Sequence, residues 1–285
     1  MAVTSYRALI DAMLGGAEVN GGFRKVPSQA STAGWWVDLS MAAGNPPPNY
    51  YASNPTQAAT LNGWRGLFHG DNVSPATKVL THLGLTTPTA GLVGQYKLLD
   101  YLLYYPFVDL DDLTEQDMDN TVVPSLPRYA DGAGVLPMLV CQAPTTGGGS
   151  FTFTYVNQSG VTNTSPTIYY SVSSATIASI VTSEPAQANV GPGPFLKLAS
   201  GDTGVRQIIN VQNIVSNGGL GSLVLVKPLA DTAIREINTT SELSFLDRHN
   251  VPPVILDGAY LHLIMNCAGS VSAGLLNGYL KCGWN

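Results

Sequence analysis

The run SFTFTYVNQSGVTNTSPTIYYSV, residues 150–172, decides how the chain is read. Phe151, Phe153 and Tyr155 alternate with Thr152, Thr154 and Val156. Successive side chains of a strand point to opposite faces, so this spacing puts three aromatic rings on one side. Asn157-Gln-Ser-Gly160 then supplies a turn, and Thr167 to Val172 a second run, which together predict a hairpin. Comparable runs occupy Phe195–Ala199, Val205–Val215, Ser222–Lys227, Ala259–Asn266 and Gly274–Lys281. Turn signals separate them at Gly191–Pro194, Ser200–Gly204, Asn217–Gly219 and Ala268–Ser270. Six or more short strands joined by polar turns imply an antiparallel β-sandwich or a jelly-roll-like unit.

Upstream the pattern changes. Val3, Tyr6, Leu9, Ile10, Met13 and Leu14 recur at three- and four-residue steps and end at Gly15-Gly16, which predicts a short amphipathic helix with a glycine stop. The aromatic stretch 34–55 contains Pro46-Pro47-Pro48, incompatible with a helix or a central strand, and Trp35, Trp36, Tyr50 and Tyr51 need a surface to bury their rings. Helical patterning is read over 57–68, 76–83 and 91–105. The last is apolar on nearly all sides, as befits a helix that is buried or contacted by another subunit. The expected fold class is therefore α+β, mainly β: a helical, loop-rich N-terminal domain, residues 1–142, followed by an antiparallel β-sandwich domain, residues 143–285. The boundary falls in Ala143-Pro-Thr-Thr-Gly-Gly-Gly-Ser150, read equally well as a flexible hinge or a plain strand connection. No fixed-period internal repeat occurs.

Asp, Glu, Lys and Arg make up only 11% of the 285 residues, against about 25% in ordinary soluble domains. With 13 basic and 19 acidic residues the net charge is −6, which argues against a basic nucleic-acid-binding surface. A hydrophobic content of 45% excludes a disordered chain. No apolar run reaches the length of a membrane span, and no basic leader with a long apolar run opens the sequence, so a soluble, unsecreted protein is expected. Cys141, Cys267 and Cys282 suit neither a disulfide framework nor a metal pair, and are read as buried thiols.

No reactive constellation emerges, and no enzyme, catalytic residue, metal ligand or cofactor is expected. His69, His82, His249 and His262 are too widely spaced to place two ligands on one helix face, and His262 sits within an apolar strand pattern. Neither a nucleophile elbow nor a phosphate-binding glycine loop is present; Gly147-Gly-Gly149 leads into a strand pattern, not a helix. Charge concentrates once, at Asp109, Asp111, Asp112, Glu115, Asp117 and Asp119, which holds six of the nineteen acids and so accounts for the whole net charge. It reads as a solvated or subunit-facing patch, with a short helix starting at Thr114–Asp117, or as a cation site, although the register of a calcium-binding loop fails. Arg128 and Asp131 are placed to pair across the glycine turn that follows them.

Several segments together resemble virion structural proteins of tailed bacteriophages, most of all capsid auxiliary or decoration proteins. They are Gly34–Ser40 leading into Asn45–Tyr51, Leu99–Pro106, Leu126–Gly132, Val224–Leu229, and Asp257–Leu261 onward to Trp284. The likeness spans most of the chain without a chemically diagnostic motif, so it carries over no site residues. It implies a capsid decoration or cement protein at the virion surface, whose partners are other copies of itself in a homo-oligomer such as a trimer, and the phage major capsid protein. It implies no direct nucleic-acid or membrane binding. A major capsid protein, a tail or fibre-base component and a carbohydrate-binding β-sandwich module are the alternatives. The first helix and the Trp35/Trp36 loop are the candidate contact surfaces. A charge-poor surface suits such a role, because few charges must be stripped of water when copies pack together.

Overall fold

A computed structural model describes residues 5–28, 33–61, 65–170, 176–181, 193–247 and 251–285. It is mainly β, 47% strand and 6% helix. Among the described residues one α-helix, α1 (Tyr6–Leu14), precedes fifteen strands. These are β1 (Glu18–Val26), β2 (Trp36–Asp38), β3 (Ala43–Asn45), β4 (Lys78–Thr86), β5 (Gly94–Asp109), β6 (Glu115–Asp117), β7 (Leu136–Ala143), β8 (Gly149–Asn157), β9 (Thr162–Thr164), β10 (Ile168–Tyr170), β11 (Val205–Val215), β12 (Leu220–Ile234), β13 (Ser241–Ser244), β14 (Leu261–Cys267) and β15 (Leu276–Trp284).

The strands form three antiparallel sheets: a central one in the order β2-β14-β5-β12-β7, a second in the order β13-β4-β15-β1-β3, and a third in the order β10-β8-β11-β6 with β9 beside β8. The central sheet turns on β5, which runs against β12 from Gly94↔Ile234 to Asp109↔Leu220 and against β14 on its other side. Its two outer edges do not stay open. Residues 178–181 pair with both: Ile180 N–H donates to the Trp36 carbonyl and Asp38 N–H to the Ala178 carbonyl on β2, while Val181 N–H donates to Leu139 and Cys141 N–H to Ser179 on the β7 side. Val37↔Ser179 and Val140↔Ile180 are the residue pairs. This short clip closes the five strands into a ring and removes the exposed edges that an open sheet would present.

The packing follows from the two faces of that ring. Trp36, Leu99, Tyr101, Met138, Val140, Ile180, Val224, Val226 and Ile264, drawn from all five strands and the clip, turn to one side and pack with Tyr51, Leu61 and Tyr260 as the ring interior. The outer face is shared. Leu98, Leu263 and Met265 pack against the second sheet through Leu80, Leu83 and Leu280. Leu103, Tyr105, Leu139, Leu223 and Leu225 pack against the third through Phe151, Phe153 and Tyr155. Register shifts in the β5–β12 pairing accommodate the change of neighbour along β5.

Several expectations need correction. The segment 91–105 is not a helix but most of β5. Its unbroken Leu/Tyr run lacks alternation because both faces are covered, one by the ring interior and one by the flanking sheets. The helical reading of 76–83 fails likewise, since all of this stretch from Lys78 on lies in β4, which is buried almost throughout. No helix forms among the described residues of 57–68, where Leu61 and Leu67 are buried from extended connections. Phe195–Ala199 is not a strand; Leu196 N–H instead donates to the Pro137 carbonyl. The short helix at Thr114–Asp117 is replaced by β6, which pairs with β11. As far as residue 170 the expected hairpin is present as β8 with β9 and β10, its return strand interrupted around Ser165-Pro166, and the end of the second run, residues 171 and 172, lies outside the described residues. Each of the three sheets takes strands from both sides of residue 143.

Candidate interaction surface and the ring interior

Helix α1 begins where the Ser5 hydroxyl accepts from Ala8 N–H at 3.1 Å. It ends at Gly15, whose N–H reaches the Asp11 and Ala12 carbonyls. Leu9 is fully buried against β15, and Met13 lies so close that a Cβ on Gly283 would come within 2.7 Å of its Sδ. The absence of a side chain at Gly283 lets the helix sit down on the strand. A ridge along the flank of that seat is exposed: Tyr6, Ile10 and Leu14, spaced four residues apart, are 39%, 44% and 83% exposed. Arg7 and Asp11 flank the ridge, 3.8 Å apart and well exposed.

The aromatic loop behaves differently. Trp36 and Tyr51 lie inside the ring, and Trp35 is half-buried with its carbonyl accepting from Cys267 N–H. The Trp35/Trp36 loop is thus not a presented gripping surface, because the indole of Trp36 fills the interior and Lys97 Nζ covers it at 5.6 Å. Only Tyr50 of this stretch projects outward.

Inside the ring, the fully buried Asp38 accepts from Tyr51 Oη at 2.5 Å, Tyr101 Oη at 2.7 Å, Ser40 N–H at 2.8 Å and Ser40 Oγ at 2.9 Å. Burial raises the carboxyl pKa, outweighing the opposite pull of these four donors. Nearby, Lys25 Nζ donates to the Ala42 and Pro46 carbonyls at 2.9 and 3.0 Å. Burial brings its amine down to about 8, against the attraction of Asp38. His262 is held by its Nε2, 2.9 Å from the Arg65 carbonyl. Burial first, and the Lys25 charge second, lower its pKa to about 3, so the imidazole is neutral and Nε2 is the donor. A carboxylate engaged by four donors has little left to offer a substrate, so Asp38 ties β2 to β5 and to the loop carrying Tyr51. A cleft of about 180 Å³ between Pro27, Met41, Pro48, Tyr50 and Ile177 reaches down to it.

Arg128 does not pair with Asp131. Its guanidinium grips the buried Asp100 of β5 at 2.6 and 2.8 Å and reaches the Tyr101 carbonyl at 3.0 Å. A desolvated carboxylate attracts a guanidinium more strongly than an exposed one does, and Asp131 is left to accept from Ala133 N–H. In the acidic segment the carboxylates serve their own turns: Asp109 accepts from Asp111 N–H, Asp112 from Thr114, and Asp119 from Thr121 and Gln57. These hydrogen bonds hold the pKa values of Asp112 and Asp119 below the ordinary range. Among the described residues no three His, Cys, Asp or Glu side chains converge to hold a metal ion. An open groove of about 550 Å³ runs between Lys97, Asp231, Arg235 and Glu242, with Lys97 and Asp231 paired at 2.7 Å.

The interior residues Asp38, Tyr51, Tyr101 and His262 were not singled out together by sequence reasoning. The one available signal is Asp38 itself, an isolated acid between Trp-Trp-Val and Leu. Among the described residues no helix is long and apolar enough to cross a membrane.

No family model and no curated protein matches the chain. Among solved structures, a mutant VP2 protein of infectious bursal disease virus in derived T=1 particles is 8% identical, with a TM-score of 0.16, over 93% of this chain and 77% of that one. The VP2 subviral particle of the same virus is 8% identical, with a TM-score of 0.13, over 94% and 80% of the two chains. Likenesses this slight carry no argument about fold or role.

Proposed function

We propose that this protein is a structural component of a phage particle, a capsid decoration or cement protein that acts by associating with copies of itself and docking on the shell. The observation that carries the reading is the outward ridge of α1. Three apolar side chains stand on a helix firmly seated by Leu9 and Met13, on a chain whose charges amount to 11% of its residues. Apolar surface of this kind gains by leaving water, and few neighbouring charges resist its burial. Two sheets layered on one face of a third supply a rigid body for such contacts, and this layering is the basis for a sandwich-like description of the strand-rich part. The buried Asp38 node and the neutral His262 are scaffold, which is consistent with a protein that works through its surfaces.

The test is light scattering and sedimentation of the purified protein, alone and mixed with shells lacking it. The expected outcome is a defined oligomer that binds shells, and an Ile10→Glu/Leu14→Glu variant that folds but loses association at least tenfold. A wild-type chain that stays monomeric at high concentration and ignores shells overturns the proposal.

A further inference from the structure

Where β8, β10 and β11 meet the turn at residues 109–112, two side-chain oxygens are buried without a hydrogen-bond partner. They are Asn213 Oδ1 and Tyr170 Oη, on residues each 2% exposed. The Asn213 amide is fixed under the turn, because its Nδ2 donates to the Asp109 and Asp112 carbonyls at 2.8 and 2.7 Å. The Tyr170 ring lies across Gly149, where a Cβ would come within 2.6 Å of both Tyr170 Oη and the Val215 carbonyl oxygen. Between Asp109 and Asp112 stands Asp111, near enough for its charge, after burial, to raise the Tyr170 pKa. The Asp111 carboxylate accepts only from Gly218 N–H, at 3.3 Å on Oδ1, among the described residues. Buried polar atoms are nearly always paired, so two unpaired oxygens in one corner point to an occupant that the chain's own groups do not supply.

The balance of donors and acceptors decides what that occupant is. Asn213 Oδ1, the Val215 carbonyl and the Asp111 carboxylate can only accept, and the Tyr170 phenol brings a single proton. Among the described residues no Lys, Arg or His forms an ion pair with any of the six acids of 109–119. We propose that this corner is a binding site for a hard divalent cation, calcium, held by Asn213 Oδ1, Tyr170 Oη and the Asp111 carboxylate, with water completing the shell. Calcium takes six to eight oxygens, and amide, carbonyl and water oxygens serve beside carboxylates. Asp111 is the one carboxylate of the set, since Asp109 accepts from Asp111 N–H and Asp112 from Thr114. A single carboxylate among neutral ligands places the affinity at the weak end of calcium sites, on the order of 10⁻⁴–10⁻³ M. The bound ion would tie the acidic turn to β10 and β11, and it requires no association between copies.

The experiment titrates the full chain with terbium, an oxygen-seeking stand-in for calcium whose emission a nearby tyrosine sensitises, and displaces it with calcium. The melting temperature is followed in parallel in EDTA and in excess calcium. Sensitised emission that calcium reverses is expected, together with a melting temperature that rises in calcium because the ion binds the folded chain. Tyr170→Phe and Asp111→Asn should each weaken calcium at least tenfold. Neither substitution threatens the fold: Tyr170→Phe keeps the ring and removes an unpartnered hydroxyl, so it should melt no lower than wild type in EDTA, and Asn at position 111 still accepts from Gly218. Absence of both the emission and the calcium-dependent rise overturns the site and leaves water to serve the two oxygens. Binding that either substitution leaves unchanged also overturns it, because the ion then sits on other carboxylates.

Discussion

His262 and Asp38 sit in the same interior and respond to acid in opposite directions. The folded-state pKa of His262, about 3, lies below its unfolded value of 6.5. The unfolded chain therefore binds the extra proton first, and the stability contributed by the neutral imidazole is complete above about pH 6.5 and declines as pH falls toward 3. The slope is at most about 1.4 kcal/mol per pH unit. Asp38 has a raised pKa, so the folded state takes up its proton more readily, and this group favours folding as pH falls through the window just above the ordinary carboxyl value. Urea midpoints of the wild type at pH 7 and pH 4.5 should differ by more than those of His262→Gln; equal differences would show that His262 does not govern the acid limb. Removing one donor from the buried carboxylate, by Tyr101→Phe, should cost about 1.5–3 kcal/mol in the same assay. Arg128→Met leaves Asp100 buried and uncompensated and should cost about 3–5 kcal/mol, while Asp100→Asn/Arg128→Met should recover part of it. Little of this was legible in the sequence. Asp38 stands alone among apolar neighbours, and its partners Tyr51 and Tyr101 are distant in the chain. Asp131, at three residues from Arg128, looked the nearer partner than Asp100 because sequence spacing carries no information about burial.

At the level of elements, strands with one covered face were readable and strands with two were not. In β8, Phe151, Phe153 and Tyr155 face a core while Thr152 and Thr154 are half-exposed, and the alternation is plain. In β5 eight consecutive residues from Tyr101 back through Leu98 and on to Tyr105 are buried, so the period-two signal vanishes and a solid apolar run mimics a buried helix. Helix α1 was legible because only one side of it is covered. The clip was missed because four residues are too few for a pattern, and its role is set by two strands far away in sequence. Its contribution is testable with Ile180→Pro, which removes the N–H donated to Trp36 and leaves that carbonyl unpaired. A loss of about 1–3 kcal/mol is expected by chemical denaturation. A neutral result would mean that the ring holds without this bond.

For the molecule as a whole, association through an apolar ridge on a charge-poor surface should depend little on salt. Sedimentation profiles at 0.05 and 0.5 M NaCl are expected to coincide, whereas an interface built on exposed ion pairs would weaken as the screening length shrinks from about 14 Å to about 4 Å. The layered arrangement has a different consequence for how the chain reaches its native state. In the second sheet β15 is the strand between β1 and β4, so β1 cannot pair along its length until a segment some 250 residues later in the chain arrives. Closing so long a loop delays the reward for the entropy it costs, and chains dominated by such distant pairings are slow to fold. Through that interval β1 and β4 are bare strand edges, and a newborn chain in a crowded cell needs either dilution or a chaperone to keep those edges from finding each other's counterparts in the wrong molecule.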